Sequence, residues 1–154
     1  MKSTLCFATA DNIEGPYTYV DTILYSGYGK SNISETNLYD VLGKNADISR
    51  YLEYGGYNNK EWPNCIDPAI FTDADGRMWM NYGSWSGGIF LLEIDPTTGY
   101  PIYPVDDKDA DPYYGYRLIG GGHHSAEGPY IQYDAENGYY YLFVSYGDLQ
   151  SDGG

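Results

Sequence analysis

The chain lacks long hydrophobic runs and has few basic residues. Nothing in its 154 residues approaches the roughly 20 consecutive apolar residues of a membrane-spanning helix, and no segment shows a long helical apolar period. Only 8 residues are Lys or Arg against 22 Asp or Glu, so the formal net charge is −14. Such a surface repels phosphate backbones and anionic lipids, which argues against nucleic acid and membranes as partners. An uncharged polysaccharide is a compatible partner, although the acidity could equally serve solubility alone.

Cysteine is also scarce, with two residues far apart in the sequence. Cys6 and Cys65 have neither the CxxC spacing nor the spacing of a zinc site, and they are compatible with buried thiols or with a disulfide in an exported protein. The segment after Met1 predicts a strand, and it lacks the apolar core and the small-residue cleavage site of a signal peptide. The chain therefore assigns no compartment directly.

Tyrosine, glycine and proline are what the chain has in abundance, with 20 Tyr, 20 Gly and 8 Pro. Aromatic residues favour strands while Gly and Pro favour turns, so the composition predicts an all-β fold. Two strands are predicted over residues 4–10 and 17–25. Residues 26–63 are rich in Gly, Asn and Ser, and they are interpreted as a loop insertion with one short helix within residues 40–52.

A regular pattern begins after this insertion. Strands over residues 68–72 and 77–82 are predicted to form a hairpin around a two-residue turn, Asp75-Gly76. Further strands are predicted in the remaining apolar runs, over residues 88–94, 116–119, 129–133 and 139–146.

Asp67 and Glu127 occupy the same place in two copies of one pattern. Each copy has an acid, a Pro, a short apolar run, a turn with Gly, a second apolar run and then Tyr-Gly, and the acids are about 60 residues apart. A strand repeat of this period indicates the blades of a propeller, in which equivalent positions of neighbouring blades converge. We therefore expect both side chains to face one cavity within about a nanometre, and two converging acids are what glycoside hydrolysis requires.

The strand order predicts that residues 1–154 form an incomplete β-propeller domain of about two blades. The first two strands make the back half of one blade, the next four a complete blade, and the last two the front half of another. Residues 151–154 are interpreted as an open loop. Because half-blades leave strand edges unpaired, the chain by itself is expected to aggregate or to pair with another chain.

Three motifs follow this pattern: Asn-Cys-Ile-Asp-Pro at residues 64–68, Tyr-Gly-Ser-Trp-Ser-Gly-Gly-Ile at residues 82–89, and Ser-Ala-Glu-Gly-Pro at residues 125–129. Together they resemble glycoside hydrolase family 43, and in particular its endo-1,5-α-L-arabinanase branch. The resemblance covers most of the chain except residues 26–63. It implies a five-bladed β-propeller that inverts anomeric configuration, with three acids in a central cleft.

The resemblance also implies roles for the two acids. Glu127 is similar to the general acid that protonates the leaving oxygen, and Asp67 to the residue that holds this acid in place. A nearby carboxylate disfavours ionisation of Glu127, so Asp67 is expected to keep it protonated near neutral pH. The third acid, an Asp that activates water, is expected upstream of Met1, so this chain alone is expected not to hydrolyse arabinan.

Five further residues are candidate substrate contacts. Trp85 is the candidate for stacking against a sugar, with packing between blades as the alternative. His124, with the adjacent His123, could contact the substrate or line the cleft entrance, and a metal site there is disfavoured because two adjacent histidines on a strand point different ways. The candidates for contacts with sugar hydroxyls are Asn64, Ser84 and Ser145. The chain has no HExxH motif, so no metal ligand is assigned. The resemblance allows a structural calcium at the propeller axis of a full-length protein, with no ligands mapped onto this chain.

The sequence thus predicts a hydrolase of arabinan or of a related arabinose-containing polysaccharide, secreted or periplasmic, with no cofactor assigned. Two alternatives stay open: an exo-acting α-L-arabinofuranosidase or β-xylosidase of the same clan, and a non-catalytic carbohydrate-binding propeller. The presence of both Asp67 and Glu127 favours an enzyme, since a binding protein has no need of them.

Overall fold

The computed structural model describes residues 2–147, and strands dominate them. The strands are β1 Ser3–Thr9, β2 Thr18–Ser26, β3 Leu52–Glu53, β4 Gly56–Tyr57, β5 Ala69–Thr72, β6 Met78–Tyr82, β7 Ile89–Ile94, β8 Pro101–Ile102, β9 Tyr116–Ile119, β10 Ala126–Asp134 and β11 Tyr139–Tyr146. One short helix, α1, spans Leu38–Leu42, and two 3-10 turns span Ile33–Glu35 and Ser49–Tyr51. No helix within residues 2–147 is long and apolar enough to cross a membrane. The predicted open loop at residues 151–154 lies outside the described residues.

β1 and β2 form a two-stranded antiparallel sheet with two irregularities in its register. Its bounds confirm the strands predicted over residues 4–10 and 17–25 to within one residue. Leu5, Ile23 and Leu24 of this sheet are buried in the hydrophobic core. Cys6 is exposed and Cys65 is buried, and both are free thiols, so a disulfide between them is excluded.

The central sheet is a blade whose outer edge is made by two short strands rather than one. β5, β6 and β7 pair antiparallel in that order, and both β8 and β9 then pair with β7. β9 pairs with the first half of β7 and β8 with its end. The sequence predicted β9 but not β8, which has only two residues and begins with Pro101. Proline suits such a position because the first residue of an edge strand need not donate to the ladder.

The hairpin between β5 and β6 differs from the predicted two-residue turn. β5 ends at Thr72 and β6 begins at Met78, so the loop includes five residues, and the amide of Asp73 donates to the carbonyl of Arg77 at 2.9 Å. The Asp73 carboxylate accepts hydrogen bonds from the amides of Asp75 and Arg77, each at 2.9 Å. The Asp73 carboxylate thus accepts hydrogen bonds from loop amides, and these bonds stabilise the five-residue loop in place of a two-residue turn.

The segment between β2 and β5 is folded and contributes to the core. α1 begins at Leu38, two residues before the range in which a helix was predicted, and a small hairpin of β3 and β4 follows it. Tyr28, Leu38 and Tyr51 are buried among side chains of the central sheet. Five of the 20 tyrosines are buried, and their hydroxyls find partners, as Tyr82 does with the carbonyl of Tyr114 at 2.8 Å, whereas nine others are exposed.

A buried carboxylate joins this segment to the residues between β8 and β9. Asp111 is 7% exposed and accepts hydrogen bonds from the Tyr51 hydroxyl and from the amides of Tyr113 and Tyr114. Arg50 forms an ion pair with it at 3.1 Å. Burial raises the pKa of Asp111, while the two amides and Arg50 oppose that shift. The charge is tolerated because almost every acceptor position is used.

β10 and β11 form another two-stranded sheet, and β10 lies against β5 and β6 of the central sheet. The strands predicted over residues 129–133 and 139–146 are confirmed, with β10 beginning three residues earlier. The register shifts between Glu127 and Tyr130, which marks a β-bulge near the start of β10. The first strands of two neighbouring sheets, β5 and β10, are thus adjacent, and the acids Asp67 and Glu127 lie near their beginnings.

Candidate active site

Asp67 lies two residues before β5 on an exposed turn. Its φ of 53° is in the left-handed region, which few residues other than Gly, Asn and Asp adopt readily. The preceding carbonyl, of Ile66, accepts a hydrogen bond from the amide of Gly83 at 3.0 Å. Asp67 is therefore anchored through its neighbour to the end of β6, while its own carboxylate stays accessible. Backbone strain of this kind clusters at functional sites.

Glu127 is the second residue of β10 and is half-buried. Ser84 donates a hydrogen bond from its Oγ to Glu127 Oε2 at 3.3 Å. Ser145 is the register partner of Glu127 on β11. The structure thus brings together three of the sequence-predicted site residues, and it gives the carboxyl group a hydroxyl partner from the loop between β6 and β7.

Asn64 is joined to the same group through the backbone. Its Nδ2 donates to the carbonyl of Ser84 at 3.0 Å, so the amide fixes the loop that presents the Ser84 hydroxyl. The neighbouring Cys65 is buried, and burial raises the pKa of its thiol, so this sulfur stays protonated. The predicted contacts of Asn64, Ser84 and Ser145 with sugar hydroxyls stay predictions, but two of these side chains have partners within the protein.

Trp85 and His124 line one open cavity of about 360 Å³ beside the start of β10. The backbone amide of Trp85 donates to the carbonyl of Ala126, the residue before Glu127, at 2.8 Å. The cavity is also lined by Gly122, His123, Ser125 and Tyr146. Trp85 is half-buried with a φ of 48°, and His123 has a φ of 65°, so two residues that line the cavity have the left-handed backbone conformation that Asp67 also has.

Tyr146 is a cavity residue that the sequence did not single out. It ends β11 and pairs with Ala126, and its side chain is 67% exposed. The matching position in the first repeat is Tyr82, which is fully buried. The two repeat positions therefore differ in burial, and the sequence signal at position 146 was its place in the Tyr-Gly that ends the second copy of the repeat.

The loop between β6 and β7 depends on glycine because backbones approach closely there. A Cβ added at Gly83, whose φ is 116°, would lie 2.3 Å from the carbonyl oxygen of Gly88. A Cβ at Gly87 would lie 2.4 Å from the backbone of Trp62. The end of the segment between β2 and β5 thus packs directly on this loop, and the amide of Gly122 donates to the carbonyl of Lys60 at 2.8 Å. These contacts form one wall beside the cavity.

No group of three His, Cys, Asp or Glu side chains within residues 2–147 is placed to hold a metal ion. The structural calcium that the sequence resemblance allowed stays a prediction for a full-length protein.

Comparison with known proteins places the chain among glycoside hydrolases. The profile of Glycosyl hydrolases family 43 matches residues 25–153. The chain is 41% identical over 153 residues to the extracellular endo-α-(1→5)-L-arabinanase of Thermotoga petrophila, a match that covers 99% of this chain and 28% of that protein. It is 40% identical over 153 residues to the extracellular endo-α-(1→5)-L-arabinanase 2 of Bacillus subtilis, covering 99% of this chain and 27% of the relative.

Solved structures agree with this match. The crystal structure of the endo-1,5-α-L-arabinanase from Thermotoga petrophila RKU-1 superposes with a TM-score of 0.70 at 41% identity, covering 95% of this chain and 28% of that one. A family 43 glycoside hydrolase from Bacillus licheniformis gives a TM-score of 0.70 at 40% identity, with 95% and 27% covered. The predicted all-β fold is confirmed, and the chain forms part of a five-bladed β-propeller. On its fold and sequence, the chain belongs to glycoside hydrolase family 43.

Proposed function

We propose that the protein carrying this chain is an inverting endo-1,5-α-L-arabinanase that acts outside the cell. The observation that carries the proposal is the placement of Glu127, half-buried at the start of β10 and hydrogen-bonded at 3.3 Å to Ser84 of the loop between β6 and β7. The similarity to proteins named as extracellular endo-arabinanases supports the substrate and the location. The chain spans 28% of the length of the Thermotoga relative, so the activity is proposed for the whole protein and not for residues 2–147 alone.

In this proposal Glu127 is the general acid. Its carboxyl proton passes to the glycosidic oxygen as the bond to the anomeric carbon breaks, and this assistance typically contributes about 10² to 10⁴ in rate. Asp67, two residues before the first strand of the neighbouring sheet, is proposed to hold this acid in place. Inversion requires a water molecule that attacks from the opposite face of the sugar, activated by a further carboxylate.

The cavity beside Glu127 is the proposed place for the sugar. Trp85 provides an aromatic surface in the cavity, and His124 and Tyr146 provide polar groups at its rim. Aromatic faces suit the apolar side of a sugar ring, while a net charge of −14 favours a neutral polysaccharide over an acidic one.

The test is hydrolysis of linear 1,5-arabinan by the full-length protein and by its Glu127→Gln variant. We expect the variant to lose about 10² to 10⁴ in kcat, because glutamine cannot donate the proton. Glu136→Gln is the matched control, since Glu136 is an exposed acid in the turn after β10, and it should retain full activity. Proton NMR of the first product should show the inverted anomer.

Three results would contradict the proposal. Release of single arabinose units from chain ends would indicate an exo-acting enzyme. Binding of arabinan without turnover would indicate a carbohydrate-binding protein. Equal activity of the wild type and Glu127→Gln would show that Glu127 is not the acid.

A further inference from the structure

Residues 81–85 connect the central sheet to the sheet that carries Glu127. Three hydrogen bonds join residues 81–85 to residues 126–129, and these two segments run antiparallel to each other. They join Asn81 Nδ2 to the Pro129 carbonyl at 2.7 Å, Ser84 Oγ to Glu127 Oε2 at 3.3 Å, and the Trp85 amide to the Ala126 carbonyl at 2.8 Å. The bonds to Pro129 and Ala126 hold the backbone on both sides of Glu127.

The same segment is also tied to the residues before Asp67. The amide of Gly83 donates to Ile66, and Asn64 donates to the carbonyl of Ser84. Residues 81–85 therefore form a bridge between the two acids. The relative position of Asp67 and Glu127 depends on this bridge rather than on either strand alone.

Asn81 is the least expected member of the bridge. It lies on β6 between Ala69 of β5 and Leu91 of β7, it is fully buried, and an apolar side chain would suit these neighbours. Its Oδ1 has no hydrogen-bond partner within the described residues. Burying an unpaired amide oxygen costs free energy, and the compensating contact of this side chain is the hydrogen bond that its Nδ2 donates to Pro129.

The Nδ2 group supports the β-bulge that presents Glu127. The register shifts between Glu127 and Tyr130, and Pro129 lies inside this irregularity. Bulges redirect the side chains next to them, and they leave backbone groups that need partners outside the ladder. Asn81 provides such a partner to the Pro129 carbonyl from the neighbouring sheet.

We propose that Asn81 is a positioning residue for the general acid, which it places through Pro129 without contacting the substrate. This inference rests on the proposed function, because it assumes that Glu127 donates the proton. A shift of the acid by about 1 Å can cost about 10² in rate. Loss of the Asn81 amide should therefore affect the proton donation step and leave steps that need no proton unchanged.

The experiment compares two substrates that differ in their need for an acid. An arabino-oligosaccharide has a sugar leaving group that must be protonated, whereas a dinitrophenyl arabino-oligosaccharide releases a phenolate that needs no proton. In the full-length protein, Asn81→Ala should lower kcat for the first substrate by about 10² and change it little for the second, as Glu127→Gln should. Asn81→Ser replaces the alanine variant if that variant does not fold.

Met80→Ala is the matched control. Met80 is the preceding residue on β6, it is buried in the hydrophobic core, and its removal loosens the same strand. This variant should change kcat for both substrates by the same factor. A parallel loss in Asn81→Ala, or no loss in it, would overturn the positioning role.

A second readout separates this inference from the proposed function. The Trp85 amide, which donates to Ala126, should exchange its hydrogen faster in Asn81→Ala than in Met80→Ala. If the wild type cleaves neither substrate, the proposed function fails while the exchange measurement still tests the bridge. Unchanged protection of Trp85 in Asn81→Ala would then overturn the inference.

Discussion

The backbone conformation of Asp67 leads to a prediction about stability that does not depend on catalysis. Its φ of 53° disfavours side chains other than Gly, Asn and Asp, and its carboxylate is exposed, so packing contributes little. Asp67→Ala should therefore lower the free energy of unfolding by about 1 to 2 kcal/mol, while Asp67→Asn should leave it nearly unchanged. Urea unfolding of the two variants measures the difference. Equal midpoints for both variants would show that this conformation is not strained.

The sequence identified several residues of the site, but it did not predict the contacts between them. The repeat and the motifs identified Asp67, Glu127 and Ser84, because acids before Pro and a Ser after Tyr-Gly are visible in sequence. They could not show that the Ser84 hydroxyl bonds to Glu127, since that contact depends on how two sheets meet. Asn81 and Tyr146 were missed because the pattern treats both as ordinary strand positions.

At the scale of the structural elements, the turns of three hairpins are stabilised in the same way. Asp73, Asp95 and Asp134 each begin a turn and accept hydrogen bonds from amides two or more residues later. A glycine with positive φ follows three or four residues after each acid, at Gly76, Gly99 and Gly138. The Asp side chain satisfies the turn amides and the glycine supplies the left-handed conformation.

The carboxylates of these turns lead to a prediction of how the free energy of unfolding depends on pH. The amide of Thr97 and the Asn137 side chain lower the pKa values of Asp95 and Asp134, respectively, below their ordinary value of 3.8. At Asp73, desolvation raises the pKa, but hydrogen bonds from Trp79 and Arg77 outweigh it and the net shift is downward. Because the folded-state pKa values lie below the unfolded ones, this stabilisation is present above about pH 4 and is lost as the pH falls through the folded values.

Urea unfolding at pH 6 and pH 3 should reveal this loss. A double variant, Asp95→Asn with Asp134→Asn, should lose less stability between the two pH values than the wild type, since asparagine cannot be protonated there. Asp75→Asn is the control, because the Asp75 carboxylate accepts no turn amide within the described residues. An identical drop in the double variant and the wild type would rule out these turns as the source.

Sequence periodicity predicted the longer strands well and missed the shortest ones. β9 and β11 were predicted at their observed bounds, because each is an apolar run closed by glycine-containing turns. β3, β4 and β8 were missed because each has two residues, too few for a period to be seen. The β5–β6 loop was predicted too short, since the acceptor role of Asp73 is not encoded in the Asp-Gly signal.

At the scale of the whole molecule, one face of the β10–β11 sheet exposes a group of aromatic side chains. Tyr130, Tyr139, Tyr141 and Phe143 are 50%, 63%, 44% and 58% exposed. Contiguous exposed apolar surface of this kind promotes association. We therefore expect purified residues 1–154 to self-associate as the concentration rises, as the sequence also predicted from the strand edges.

Sedimentation velocity over a range of concentrations measures this association. Replacing Tyr141 and Phe143 by lysine should shift the population toward the monomer, because charge on this face opposes its burial. Tyr54→Lys is the control, since Tyr54 is fully exposed at the β3–β4 turn and lies outside the aromatic face. A wild-type chain that stays monomeric throughout would show that this face does not drive association.

The bridge between the two sheets has a consequence for how the protein responds to heat. Its three hydrogen bonds cross an interface between blades, and such interfaces open at lower cost than whole sheets do. The gap between the acids should therefore widen before the strands separate, and the proposed hydrolysis should decline while circular dichroism still reports a folded chain. On cooling, the lost rate should return in full. The temperature of maximal activity would then be set by the opening of this one interface and not by the unfolding of the protein.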